Sequence, residues 1–262
     1  MNLEQLVPDE GERTVTVGGS RAGKSAHLEW TMRTVADLRP SSMNILVDTK
    51  PRYRAETMPH PLSPRHRVSA AKLYKKWRAG PTVPNSVRMN IWSDRPFAGL
   101  FNEPGEIVIM QGETLADWKR MLVILQHFVE VHQKDRERNM WVDEALDFYQ
   151  RNSFSINSKT DVFYRSSRAG GERGIGTHLG LHRLKGTPPI ILAQITRCTL
   201  FHLVNDSDMS YLRDAIGIKD AESPEGDYIF RQWTRKPGGA VSAPVTGTLV
   251  LPDSYLRQLS KT

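Results

Sequence analysis

Residues Gly18-Gly19-Ser20-Arg21-Ala22-Gly23-Lys24-Ser25 spell G-x-x-x-x-G-K-[ST], a phosphate-loop pattern. Thr14 to Val17 before it reads as a strand, and Ala26 to Leu38 after it reads as a helix. That strand–loop–helix context distinguishes a nucleotide site from a chance string. Glycines let the backbone curl so that successive N–H groups point inward at phosphate oxygens. The following helix brings its positive N-terminal end to the same spot. Gly18 through Ser25 are therefore the candidate ATP-binding residues. Lys24 is expected to reach the β- and γ-phosphates, and the Ser25 hydroxyl to hold Mg²⁺.

A chain of 262 residues suits one α/β domain spanning 1–262, with an irregular, Pro- and Arg-rich elaboration at 51–104. A net charge of +7 and a pI near 9.6 are compatible with a polyanionic partner. Cys198 is the sole cysteine, so an intrachain disulfide and a cysteine zinc cage are both excluded, and a reducing, cytoplasmic setting is expected. No apolar run is long enough to span a bilayer. Met1 to Gln5 have neither a basic nor an apolar leader character, so no secretory signal is expected. His60 and His66 lie in a Pro-rich stretch without a ligand set, which argues against a histidine metal site.

Ile45-Leu46-Val47, ending in Asp48-Thr49-Lys50, reads as a second strand, and Glu106 to Met110 as another. Trp118, Met121, Leu122, Leu125, Phe128, Val129 and His132 recur at helical spacing and read as core packing. Met140-Trp141-Val142 is a short apolar run ending in Asp143-Glu144, with polar Arg138-Asn139 before it. A helical stretch is expected toward Arg183, then strands over Pro189 to Gln194 and Thr199 to Val204. Asp227 to Trp233 and Val245 to Leu251 flank Pro237-Gly238-Gly239 and read as a terminal hairpin. Strands alternating with helices predict an α/β fold with a doubly wound, mostly parallel sheet closed by a C-terminal β-hairpin, and with the phosphate loop after its first strand it resembles the RecA-like P-loop NTPase type.

Asp143 at a strand end is the candidate Walker B carboxylate and Mg²⁺ holder. Glu144 beside it is placed to align and deprotonate the attacking water. Gln194, read as the end of the next apolar strand, is expected beside the γ-phosphate, because parallel strands end at one crevice.

The ordered set resembles one family. The phosphate loop, Asp48 with Lys50, Asp143-Glu144, His182-Arg183-Leu184-Lys185-Gly186, Gln194 and Asn205-Asp206-Ser207-Asp208 together are similar to the FtsK–HerA superfamily of P-loop ATPases, which contains DNA translocases and viral genome-packaging ATPases. Ile195-Thr196-Arg197 departs from it where many members carry Pro soon after the glutamine. The resemblance implies ATP hydrolysis by Lys24, Ser25, Asp143 and Glu144, with Gln194 coupling phosphate loss to movement. It implies a homo-oligomeric ring in which a neighbour's arginine completes the site: Arg183 by position, with Arg168, Arg173 and Arg197 as alternatives. It implies double-stranded DNA as partner, met through a loop such as Arg165 to Gly171, and capsid or portal proteins besides. The basic Lys72 to Arg78 stretch reads as an amphipathic surface helix. The lack of a membrane span points away from the membrane-anchored phage assembly ATPases of that family. Two rivals remain: a P-loop small-molecule kinase, and a non-motor NTP-binding assembly protein.

Overall fold

The computed structural model describes residues 6–48, 104–105, 107–111, 125, 128–129, 135–146, 174–203, 206–236 and 239–249. The elements expected within 51–103 and 147–173 lie outside these residues, as does Lys50.

Among the described residues eight strands form one sheet. They are β1 (Arg13–Val17), β2 (Met43–Asp48), β3 (Ile107–Gln111), β4 (Arg138–Asp143), β5 (Ile175–Leu181), β6 (Arg197–Leu200), β7 (Ile229–Thr234) and β8 (Val245–Thr248). Their order across the sheet is β3-β2-β4-β5-β1-β6-β7-β8. The six strands from β3 to β6 run parallel. β7 and β8 add antiparallel at one end and form the expected hairpin. Helices with described bounds are α1 (Lys24–Leu38), α2 (Pro189–Leu192) and α3 (Asp206–Ile216), and Leu125, Phe128, Val129, Ala145 and Leu146 are helical as well.

Parallel strands covered on both faces bury all of their residues. Every residue of β2, β4 and β5 is buried accordingly. Val15, Val17, Ile45, Val47, Met140, Val142 and Leu179 join Leu125, Phe128 and Val129 in the main core. α1 lies on the other face, where Leu28, Met32 and Val35 pack with Leu46 and Trp141.

Burial on both faces also explains the polar start of β4. Arg138 and Asn139 belong to the strand and are fully buried. Arg138 Nη1 donates to the carbonyls of Phe128 and Val129 at 2.9 and 3.1 Å, so backbone acceptors help to satisfy its buried charge. Asn139 Oδ1 lies 3.3 Å from His178 Nε2, and His178 Nδ1 lies 3.0 Å from Thr14 Oγ1. The amide oxygen only accepts, so His178 donates from Nε2 and accepts from Thr14 at Nδ1. This buried ladder crosses β4, β5 and β1 and fixes their register.

Three expectations are corrected. The stretch before His182 is strand β5, not helix: Ile175–Leu181 has the fully buried character of an interior strand, and its two glycines mask the β signal. Pro189 to Gln194 is not a strand. Pro189 to Leu192 form the single helical turn α2, with proline at its start, where a missing N–H costs nothing. The strand that follows is Arg197–Leu200, and Asp206–Ile216 is a helix where only a polar turn was expected.

Candidate functional site

β1, β5 and β4 are consecutive or near neighbours in the sheet and end at the same side. The loop after β1 is held to its neighbours through backbone bonds. Gly18 N donates to Leu181 O at 3.1 Å, and Gly19 N to His202 O at 2.9 Å. No side chain fits at Gly18, where a Cβ would stand 2.7 Å from Phe201 Cβ. Gly23 caps α1 with φ +106°, a left-handed conformation natural to glycine. α1 begins at Lys24, so its first amides have no intrahelical carbonyl to bond and face the loop. Arg21 also adopts a left-handed φ of +63° and is exposed.

Opposite the loop, Asp143 ends β4 and Glu144 follows with φ +54°. Asp143 Oδ1 accepts from Ser25 Oγ at 3.2 Å and from the Glu144 N–H at 3.1 Å. Lys24 Nζ donates to Glu144 Oε1 at 2.7 Å, and these side chains are only 5% and 3% exposed. His182, the first residue beyond β5, places Nδ1 2.6 Å from Glu144 Oε2 and 3.4 Å from Lys24 Nζ. The shorter contact puts the proton on Nδ1, donated to the carboxylate. Burial raises the Glu144 pKa, but the His182 hydrogen bond and the charge and hydrogen bond of Lys24 outweigh it and bring it down to about 2.

No protein-family model matches the sequence, and no curated protein matches it. Solved structures do. The genome-packaging NTPase B204 of Sulfolobus turreted icosahedral virus 2, bound to AMPPCP, superimposes with a TM-score of 0.59 at 16% identity, over 93% of this chain and 100% of that one. B204 of Sulfolobus turreted icosahedral virus, a DNA-packaging ATPase, gives 0.54 at 14% identity over 90% and 97%. The cytoplasmic domain of the type VII secretion ATPase EccC from Thermomonospora curvata gives 0.52 at 13% identity, over 97% of this chain and 29% of that one. The fold is that of a P-loop NTPase.

Within this P-loop NTPase fold, the sequence-expected residues divide into two groups. Lys24, Ser25, Asp143 and Glu144 come together. Asp48 ends β2 beside Asp143 in the ladder and is buried. Arg183 directly follows His182 at the same end of the sheet and is exposed. Gln194 does not join them. Thr196 N bonds to Arg13 O, and Arg197 pairs with Thr14, so Gln194 precedes β6 at the far end of the sheet, where β1 begins. Its expected place beside the γ-phosphate is thereby overturned. Arg197 is likewise removed from the arginine alternatives: it is buried, and its guanidinium contacts Glu12 at 3.0 Å and Gln232 at 3.3 Å. Arg168 and Arg173 lie outside the described residues.

His182 is the residue that the sequence reading missed as a site member. Its signal was present in the parallel-sheet rule already applied to Gln194: the tip of whichever strand lies between β1 and β4 must face the loop. Mistaking β5 for a helix hid it. Among the described residues no helix is long and apolar enough to cross a membrane.

Proposed function

We propose that this chain is an ATP-hydrolysing DNA translocase, a viral or phage genome-packaging motor that works as a homo-oligomeric ring on double-stranded DNA. One observation carries the reading: the tips of β1, β4 and β5 gather a phosphate-loop lysine and serine, an Asp-Glu pair and a histidine into one cluster. The likeness to a genome-packaging NTPase and a DNA-packaging ATPase, each matched over nearly its whole length, supports the motor assignment over the kinase.

The loop amides and Lys24 take the phosphates. Ser25 and Asp143 offer a hydroxyl and a carboxylate oxygen 3.2 Å apart. Hard oxygen donors of this kind suit Mg²⁺. Gly180 keeps that place clear, since a Cβ there would stand 2.9 Å from Asp143 Oδ1. Bound Mg²⁺ supplies charge neutralisation on the phosphoryl oxygens. With Lys24 attached, Glu144 is a weak base, because a carboxylate held near pKa 2 has little proton affinity. Phosphates drawing Lys24 away loosen that hold, and Glu144, still against His182, orients water and accepts its proton. His182 takes the coupling role first given to Gln194. Exposed Arg183 is offered to the phosphates of a neighbouring subunit.

The test is phosphate release by the purified chain with and without double-stranded DNA, together with the mass of the assembly. Turnover by a multimer that rises with DNA supports the motor. DNA-insensitive turnover removes it, phosphorylated small-molecule products indicate a kinase, and no turnover at all indicates a nucleotide-binding assembly protein.

A further inference from the structure

The turn that carries His182 and Arg183 is pinned most directly by the Asp208 side chain. Asp208, in the first turn of α3, is buried, at 3% exposure. Its Oδ1 accepts both the Leu184 N–H at 3.0 Å and the Lys185 N–H at 3.1 Å. One helical turn on, the Tyr211 hydroxyl donates to Thr187 O at 3.2 Å. The Leu184 side chain is fully buried in the main core. Residues 184–187 are thus held at three points while Arg183, immediately before them, stays exposed.

A surface connection that only had to close would not require this. Burying a carboxylate is costly unless it is hydrogen-bonded. Here the cost is met by two charge-assisted bonds to consecutive amides, an arrangement that fixes backbone direction. We infer that Asp208 is a positioning residue, whose carboxylate fixes the backbone on which Arg183 is presented to a neighbouring subunit and so ties the catalytic competence of the ring to the seating of α3. The inference rests on the hydrolase reading above.

The test uses the full chain and its D208A, D208N, R183A and D208A/R183A variants. Phosphate release gives kcat, and a fluorescent ATP analogue gives nucleotide affinity. Misplacing a reacting group by about 1 Å costs on the order of 100-fold. D208A is therefore expected to lower kcat roughly 10- to 100-fold while affinity stays within about 3-fold. D208N retains an acceptor oxygen and is expected to stay within about 3-fold of the unmodified kcat. The double variant is expected to be no slower than R183A, because both changes disable one group. Full kcat in D208A overturns the inference. So does D208A slowing the R183A background by the same factor as the unmodified one, or kcat and affinity falling together in both D208A and D208N, as a purely structural role would give. Absence of turnover in the unmodified chain overturns the hydrolase reading and this inference with it, which is distinguishable from turnover indifferent to Asp208.

Discussion

Replacing Lys24 by Met, Glu144 by Gln, and both together measures how strongly the phosphate-loop lysine is held before nucleotide arrives. The two side chains are nearly solvent-free and 2.7 Å apart. A drop of the Glu144 pKa from 4.5 to about 2 corresponds to roughly 3 kcal/mol favouring the ionised form in the fold. His182 holds part of that, so the Lys24–Glu144 coupling is expected near 2 kcal/mol. Each single change is expected to cost about 2–4 kcal/mol, and the double about 2 kcal/mol less than their sum. Urea unfolding at pH 7 without nucleotide or divalent cation reads these values. The carboxylate pKa is lowered on folding, so its contribution is full above pH 4.5 and is lost as pH falls from 4.5 toward 2. The same competition has a binding consequence. Nucleotide must displace Glu144 from Lys24, so E144Q should bind ATP about tenfold more tightly while hydrolysing it slowly. Additivity of the two changes within about 0.5 kcal/mol, or weaker ATP binding by E144Q, would refute the reasoning.

Gly18→Ala should deform the phosphate loop, because its Cβ meets that of Phe201 at 2.7 Å. A stability loss of about 1–3 kcal/mol and weaker nucleotide binding are expected, and unchanged affinity by titration would contradict the close approach. His27, among the rings of Trp30, Phe201 and Phe230, is pushed down to about pKa 3 by burial and by the charge of Arg197. Its contribution is present above pH 6.5 and lost as pH falls toward 3, up to roughly 5 kcal/mol, so H27F should flatten the acid limb of a stability profile; superimposable profiles would rule this out. Gln194→Ala should leave phosphate release within about twofold, since the residue lies at the far end of the sheet; a tenfold loss would reopen its role.

Much of this molecule was legible without coordinates, because local chemistry sufficed. A glycine-rich turn, a lysine and a serine between a strand and a helix allow few alternatives, and β1, α1, β2 and β3 fall where the pattern put them. Asp143-Glu144 was found because a carboxylate pair at the end of an apolar run is a local signal. The terminal hairpin was found because Pro and Gly mark turns. What failed was the middle of the sheet. A strand buried on both faces has no alternation, so Ile175–Leu181 looked helical and Pro189 to Leu192 looked like a strand. That exchange put Gln194, and not His182, at the strand tip expected to face the loop, although the two lie at opposite ends of one strand layer. The sequence by itself determined a glycine-rich loop between a strand and a helix, since each residue of the loop is a few positions from the next. Only the tertiary structure decided which side chains face it. Lys24, Glu144 and His182 are separated by 120 and 38 positions, and the pairing of parallel strands, a long-range property with no local signature, is what brings them together.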